Sequence, residues 1–115
     1  MTTDTTSNTT TPTTWQLGDR TVNRIGLGAM RLMGMPWDPA PRSRDSALAV
    51  LRRAVELGVN HIDTAAFYFT PTRSANELIS TAVQPYADDL VITTKVGPSR
   101  DRAGPTFVVI TRSAP

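Results

Sequence analysis

Apolar and polar residues along this chain form short apolar runs separated by stretches of helical period. Trp15-Gln16-Leu17 and Arg20-Thr21-Val22 alternate on either side of Gly18-Asp19, which predicts a hairpin with a two-residue turn, although Gly-Asp reverses the favoured Asp-Gly order. Ile25 to Met30 is a short apolar strand whose glycines permit close backbone approach. After a Pro-rich loop, Ser43 caps a predicted helix running to about Leu57. Ala47, Leu48, Val50, Leu51, Ala54 and Val55 recur there at helical spacing, and Gly58 stands where a C-terminal cap belongs. His61 to Ala65 is a second strand. Ser74 and Glu77 form a capping box opening a helix through Leu78, Ile79, Ala82 and Val83, which Pro85 ends. Leu90 to Lys95 is a third strand, an almost continuous apolar run of the kind buried on both faces of a parallel sheet.

The order hairpin, β, α, β, α, β implies an α/β fold with right-handed crossovers. Asp63 and Lys95 fall at the C-terminal ends of their strands and Tyr68 in the loop just beyond one of them. That common edge is where a (β/α)8 barrel keeps its chemistry. A dinucleotide fingerprint of the Rossmann kind is not present. It needs a third glycine where the chain has Arg31, and a helix where it has Met33-Gly34-Met35-Pro36-Trp37-Asp38-Pro39.

Composition narrows the function classes. The chain has 115 residues, the size of one small domain, and residues 1–14 are a Thr-rich stretch read as a disordered tail. There is no cysteine, which excludes disulfides, thiolate zinc sites and cysteine nucleophiles within the sequence, and no metal site is expected. The net charge is only +2, with arginines scattered among acids, so nucleic acid is not an expected partner. No apolar run approaches the ~18 residues of a membrane span, and no secretory signal opens the chain; a cytoplasmic location is the default expectation. Asn8-Thr9-Thr10 matches a glycosylation acceptor, which would matter only in a secreted chain. Lys95 is the only lysine, against eleven arginines, which fits a position wanting a compact ammonium rather than a planar guanidinium; base composition alone would also explain the bias.

From Trp15 to Arg102 the chain resembles the aldo-keto reductases. The resemblance is carried by Gly28-Ala29-Met30, by Asp63-Thr64-Ala65 with Tyr68 five residues after the aspartate, by Asn76-Glu77, and by Thr94-Lys95-Val96-Gly97. It implies a (β/α)8 TIM barrel of which this chain holds the N-terminal hairpin and about three βα units. It also implies NADPH as cofactor and an aldehyde or ketone as small-molecule substrate. In that scheme Tyr68 gives a proton to the carbonyl oxygen. A free phenol, with a pKa of about 10, is a poor acid at neutral pH and needs a neighbouring positive charge, which Lys95 would supply and Asp63 would hold. Gly28, Ala29, Met30 and Asp63 match cofactor-lining positions. Taken singly, each has a plainer reading: a strand-end aspartate capping a turn or pairing with arginine, a tyrosine at a core edge. Tyr86, after a helix-ending proline, is read as packing.

The chain also departs from the pattern. The family's catalytic histidine at the end of the fourth strand has no counterpart. His61, the only histidine, is expected to face away from Asp63 or toward the barrel side, as a buried or helix-facing residue. Phe69 stands where the family usually has glycine. Residues 103–115 do not continue as a βα unit and offer only a strand-like Phe107 to Thr111. The expected division is thus a tail (1–14), a partial barrel (15–102) and a divergent tail (103–115), from a truncated or frameshifted reductase sequence that is inactive alone. Three strands and two helices would leave open edges suited to self-association and half an apolar face uncovered. The competing readings are a non-catalytic partial barrel that binds cofactor or a partner, and a product with no role.

Overall fold

Gly18 makes the first turn. Its φ of 61° lies in the left-handed region, where glycine has no steric penalty, and it joins β1 (Thr14–Leu17) to β2 (Arg20–Asn23) as an antiparallel pair. The hairpin is therefore as predicted, one residue longer at each outer end. A computed structural model of the chain describes residues 13–34, 38, 40, 42–96, 98–100 and 107–109. Residues 1–12 of the predicted tail, most of the 103–115 segment and part of the Pro-rich loop lie outside the described residues, while Thr14, read as the end of the tail, already belongs to β1.

Three strands form the main sheet in the order β3 (Leu27–Gly28), β4 (His61–Asp63) and β7 (Val91–Thr93), all parallel. Between them come α1 (Arg44–Glu56), the short hairpin β5 (Phe69–Thr70) and β6 (Arg73–Ser74), and α2 (Ala75–Val83). The pair β8 (Pro98–Arg100) and β9 (Phe107–Val109) follows as a separate antiparallel ribbon; the strand-like run at Phe107 is its second half. The parallel βαβα order is one side of a barrel wall, and the described residues do not close it.

The strands are shorter than the apolar runs suggested. Ile25 is 71% exposed, and Met30 opens a 3-10 turn (Met30–Met33) instead of ending the strand. Gly26 has the close approach expected of it, since a Cβ there would stand 3.0 Å from the His61 carbonyl oxygen. The third strand is not buried on both faces. Among the described residues it has β4 on one side only, and Ile92 is 39% exposed. A continuous apolar run shows what a complete barrel would bury, and among the described residues no second strand lies beside this one.

Register fixes which side chains share a face. Leu27, Ile62 and Ile92 form one row across the sheet, and Gly28, Asp63 and Thr93 the next. Successive side chains in a strand point to opposite faces. Ile62, fully buried, shares a core with Leu48, Leu51, Leu78 and Ile79, so its row faces the helices. The other face carries Gly28, His61, Asp63, Val91 and Thr93. The uncovered inner face is thus largely polar, which corrects the expectation of an apolar one.

The helices follow their caps. Ser43 accepts from Ser46 N–H at 3.1 Å, and after Leu57 the chain leaves α1 through Gly58 at φ 99°. Ser74 accepts from Glu77 N–H at 3.4 Å, which is one half of the predicted capping box. The Glu77 carboxylate is turned instead to Arg44 of α1, which grips both its oxygens (2.8 Å from Nη2 to Oε2), and to the Thr81 hydroxyl at 2.6 Å. That pairing holds the Glu77 carboxyl down at about 2 and ties the two helices together over the sheet. Tyr86, read as packing, is exposed at the opposite rim.

Candidate active site

Asp63 is the last residue of β4 and faces inward. Its main-chain oxygen accepts from Ala29 N–H at 2.9 Å, and Thr64 N–H donates to Thr93 O at 2.8 Å, so the backbone around it is stitched to both neighbouring strands. Beyond it, a turn at Ala66 and Phe67 brings back Tyr68, whose N–H donates to Ala65 O at 3.1 Å and whose carbonyl accepts from Ala75 N–H at 2.9 Å. The phenol ring belongs to the core cluster, 8% exposed, and meets the Phe67 ring edge-on at 5.0 Å. Phe69 needs no glycine here: among the described residues no non-glycine has positive φ, and Phe69 pairs with Ser74 in an ordinary hairpin. Arg73 anchors that hairpin to the Arg42 carbonyl at 2.7 Å.

Lys95 reaches over from the end of β7. Its Nζ donates to Asp63 Oδ2 at 2.8 Å and to Thr64 O at 3.1 Å, and lies 4.8 Å from the centre of the Tyr68 ring. The three residues predicted to act together are therefore together. The hydrogen bond from Lys95 holds the Asp63 carboxyl below its ordinary value, against burial that pushes it up, with help from the Thr93 hydroxyl. Reciprocally, Asp63 raises the Lys95 ammonium above its ordinary value, again against burial, and the Tyr68 phenol adds to the effect. The pair is 36% exposed at Lys95 and 47% at Asp63, open on the inner side. The cation is thus kept charged beside the phenol at neutral pH.

The cofactor-lining positions divide. Gly28 sits beside Asp63 in the inner row with nothing within 4 Å of where a Cβ would be, so a flat group can approach the backbone there. Met30 is exposed at the same edge. Ala29 is completely buried among core residues, and its N–H is already given to Asp63 O. At that position only the backbone fits a cofactor wall. Gly28, Met30 and Asp63 leave an open edge at which a nicotinamide group would be held.

His61 is placed otherwise than as a buried or helix-facing residue. Two positions before Asp63, it shares the inner face and is partly exposed, its Nε2 3.2 Å from Thr93 Oγ1. Sequence reading passed over Thr93 and Thr64. Thr64 is buried and donates to Asn76 Oδ1 at 2.7 Å, joining the strand end to the first turn of α2. The signal for Thr93 was present: it stands two residues before Lys95 and so on the same face. A hollow of 410 Å³ lined by Asn23, Arg52, Asn60, Gln84 and Leu90 lies at the opposite, N-terminal rim and shares no residue with this site. Among the described residues no helix is long and apolar enough to cross a membrane.

A parallel βα wall with an Asp–Lys pair and a tyrosine gathered at its C-terminal edge is part of a (β/α)8 barrel, and comparison with known proteins says of which kind. Residues 24–112 match the model of the aldo/keto reductase family, and the chain belongs to that family. Over 87 residues it is 49% identical to pyridoxine 4-dehydrogenase of Escherichia coli, an alignment covering 76% of this chain and 30% of that protein. A putative aldo-keto reductase from Pseudomonas aeruginosa superposes with a TM-score of 0.65 at 25% identity, over 84% of this chain and 35% of the other. An aldo-keto reductase from Bacillus halodurans, solved in its holo form, gives the same TM-score at 23% identity, over 84% of this chain and 30% of its own. The chain thus spans about a third of the length of the relatives it matches. The family is one of oxidoreductases that use a nicotinamide cofactor.

Proposed function

We propose that this chain carries the catalytic edge of an NADPH-dependent reductase of aldehydes or ketones, with Tyr68 as proton donor, Lys95 as its electrostatic partner and Asp63 as the anchor of Lys95. The observation that supports this best is the meeting of Lys95 with Asp63 at 2.8 Å beside the Tyr68 ring. When bound, the nicotinamide supplies a hydride to the carbonyl carbon. Tyr68 gives its phenolic proton to the carbonyl oxygen as negative charge grows there. The Lys95 ammonium, fixed by two acceptors, stabilises the phenolate left behind without having to reorient. Gly28, Met30 and Asp63 would line the cofactor side, with Ala29 as a buried spacer behind them.

The remaining wall is needed for turnover. A carbonyl pocket and a grip on the cofactor phosphate call for later strands and loops, so the isolated chain is expected to be inactive in a cytoplasmic setting, with small molecules rather than nucleic acid or membrane as partners. The test is NADPH oxidation measured with a panel of aldehydes, including the 4-aldehyde of pyridoxine suggested by the relative from Escherichia coli. It is run on the chain alone and on a chimera in which the later strands of a relative complete the barrel. Turnover by the chimera that Tyr68→Phe abolishes supports the reading, and a chimera that folds but reduces nothing sinks it. A second reading, a non-catalytic partial barrel that self-associates through its edges, is favoured by the one-sided pairing of β7 among the described residues. Light scattering of the isolated chain separates the two, since edge pairing requires a defined oligomer.

A further inference from the structure

One side chain outside that chemistry meets the Asp63 carboxylate, and a second stands behind it. Thr93 lies directly opposite Asp63 in the register of β4 and β7, with Oγ1 3.1 Å from Asp63 Oδ1. His61 Nε2 stands 3.2 Å from the same hydroxyl oxygen. Counting protons gives the direction of both bonds. An ionised carboxylate can only accept, so the single hydroxyl proton of Thr93 goes to Oδ1. Thr93 can then receive from His61 but has nothing to give it, and His61 must carry a proton on Nε2. The result is a directed chain, His61 to Thr93 to Asp63, ending on one carboxylate oxygen while Lys95 holds the other.

We propose that Thr93, backed by His61, is a positioning residue that fixes the rotation of the Asp63 carboxylate and so presents Oδ2 to Lys95. Rotation about the last bond of an aspartate is soft, and this carboxylate is nearly half exposed, so water competes for both oxygens. One anchor at Oδ2 leaves the group free to swing about the ammonium. A second anchor at Oδ1 removes that freedom, and with it the drift of Lys95 relative to the Tyr68 ring. The charged or titratable groups facing Asp63 are His61 from its own strand, Lys95 from the end of β7 and Tyr68 from the following loop; β3 presents only Gly28 in that row. Thr93 is also the one polar residue in a strand whose other members, Val91 and Ile92, are apolar. Valine has the same shape and lacks only the hydroxyl.

The catalytic consequence rests on the reductase reading, but the placement of the carboxylate does not, and the test reads the carboxylate itself. The full chain, with its aspartate carboxyl carbons labelled with ¹³C, is titrated by NMR, and its histidine nitrogens are read by long-range ¹H–¹⁵N correlation. In the unmodified chain Asp63 should titrate below about 3.9 and His61 should carry its proton on Nε2. Thr93→Val should raise the Asp63 midpoint by about half a unit or more, and Thr93→Ser should restore it. An Asp63 midpoint at the ordinary value in the unmodified chain, no change in Thr93→Val, or His61 protonated on Nδ1 alone would each overturn the proposal. Should Thr93→Val lose its dispersed spectrum, Thr93→Ala decides: a raised Asp63 midpoint supports the proposal and an unchanged one refutes it. No turnover is needed, so failure of carbonyl reduction in the chimera would refute the reductase reading and leave this result standing.

Discussion

The two faces of the three-stranded sheet obey opposite rules. On the helix side, Leu27 and Ile62 pack under α1 and α2 in a core with Leu51 and Leu78 completely buried. On the inner side, Gly28, His61, Asp63 and Thr93 leave an open polar surface to which Lys95 is added from the strand end. The helix face holds the unit together by burial, at about 25 cal/mol per Å² of apolar surface removed from water. The inner face holds groups in place by hydrogen bonds and charge, which contribute little net stability and much geometry. The described residues thus keep Asp63, Tyr68 and Lys95 assembled with only three strands in the sheet.

The comparison can be broken most severely at Tyr68. In the barrel-completing chimera, Tyr68→Phe is expected to lower kcat by about 10² to 10⁴-fold, the usual worth of a positioned acid, while the denaturant midpoint scarcely moves. Next is the helix face. Leu51→Ala in the same chimera should cost about 2–5 kcal/mol by urea unfolding, with kcat per folded molecule preserved. If Leu51→Ala abolished activity in fully folded protein, or Tyr68→Phe unfolded it, the division of labour between faces would be wrong.

The Asp63–Lys95 pair sharpens the picture with a smaller effect. Asp63 has its folded value lowered, so its contribution is present above the unfolded carboxylate range and disappears as pH falls through the folded value. Lys95 has its folded value raised, so its contribution is present below the unfolded ammonium range and disappears as pH climbs through the folded value. Both groups are more than a third exposed, and the pair should be worth no more than about 0.2–1 kcal/mol between roughly pH 4 and 10. A double-mutant cycle with Asp63→Asn and Lys95→Met across that range measures it. A coupling that persisted at pH 2 would contradict the pairing. Smallest is the exposed clamp between α1 and α2: Arg44→Gln should shift the thermal midpoint only slightly, and in a salt-dependent way, because water screens both ends.

Much of this was legible in the sequence, for identifiable reasons. Asp63, Tyr68 and Lys95 could be placed because strand ends and the loop between them follow from apolar runs, and one barrel edge collects them. The helices could be bounded because Ser43, Ser74 and Gly58 carry local capping chemistry. What failed depended on neighbours the chain does not describe or on pairings between elements. Leu90 to Lys95 reads as fully buried only if another strand lies beside it. The Glu77 carboxylate left its capping box for Arg44, 33 residues away, and no local rule contains that competitor. His61 lies toward the barrel side, one of its two expected orientations, and not in the buried or helix-facing role, as alternation puts positions 61 and 63 on one face. Its partner is Thr93, and only the register between β4 and β7 brings the two together.

Asn60, just before β4, has a consequence for how the fold is assembled. Its side-chain oxygen accepts from Asn23 N–H of the hairpin at 2.7 Å, and its main-chain oxygen accepts from Val91 N–H at 2.8 Å. The Asn23 side chain in turn donates to the Gly58 carbonyl. One residue thus joins the hairpin, the central strand and the edge strand at the N-terminal rim, away from Asp63. All the partners of this junction lie within the first ninety-odd residues, so a nascent chain holds every one of them once Val91 has emerged. We therefore expect Asn60→Ala to slow refolding of the chimera more than it speeds unfolding, which a chevron plot would show as a displaced folding arm and an unmoved unfolding arm.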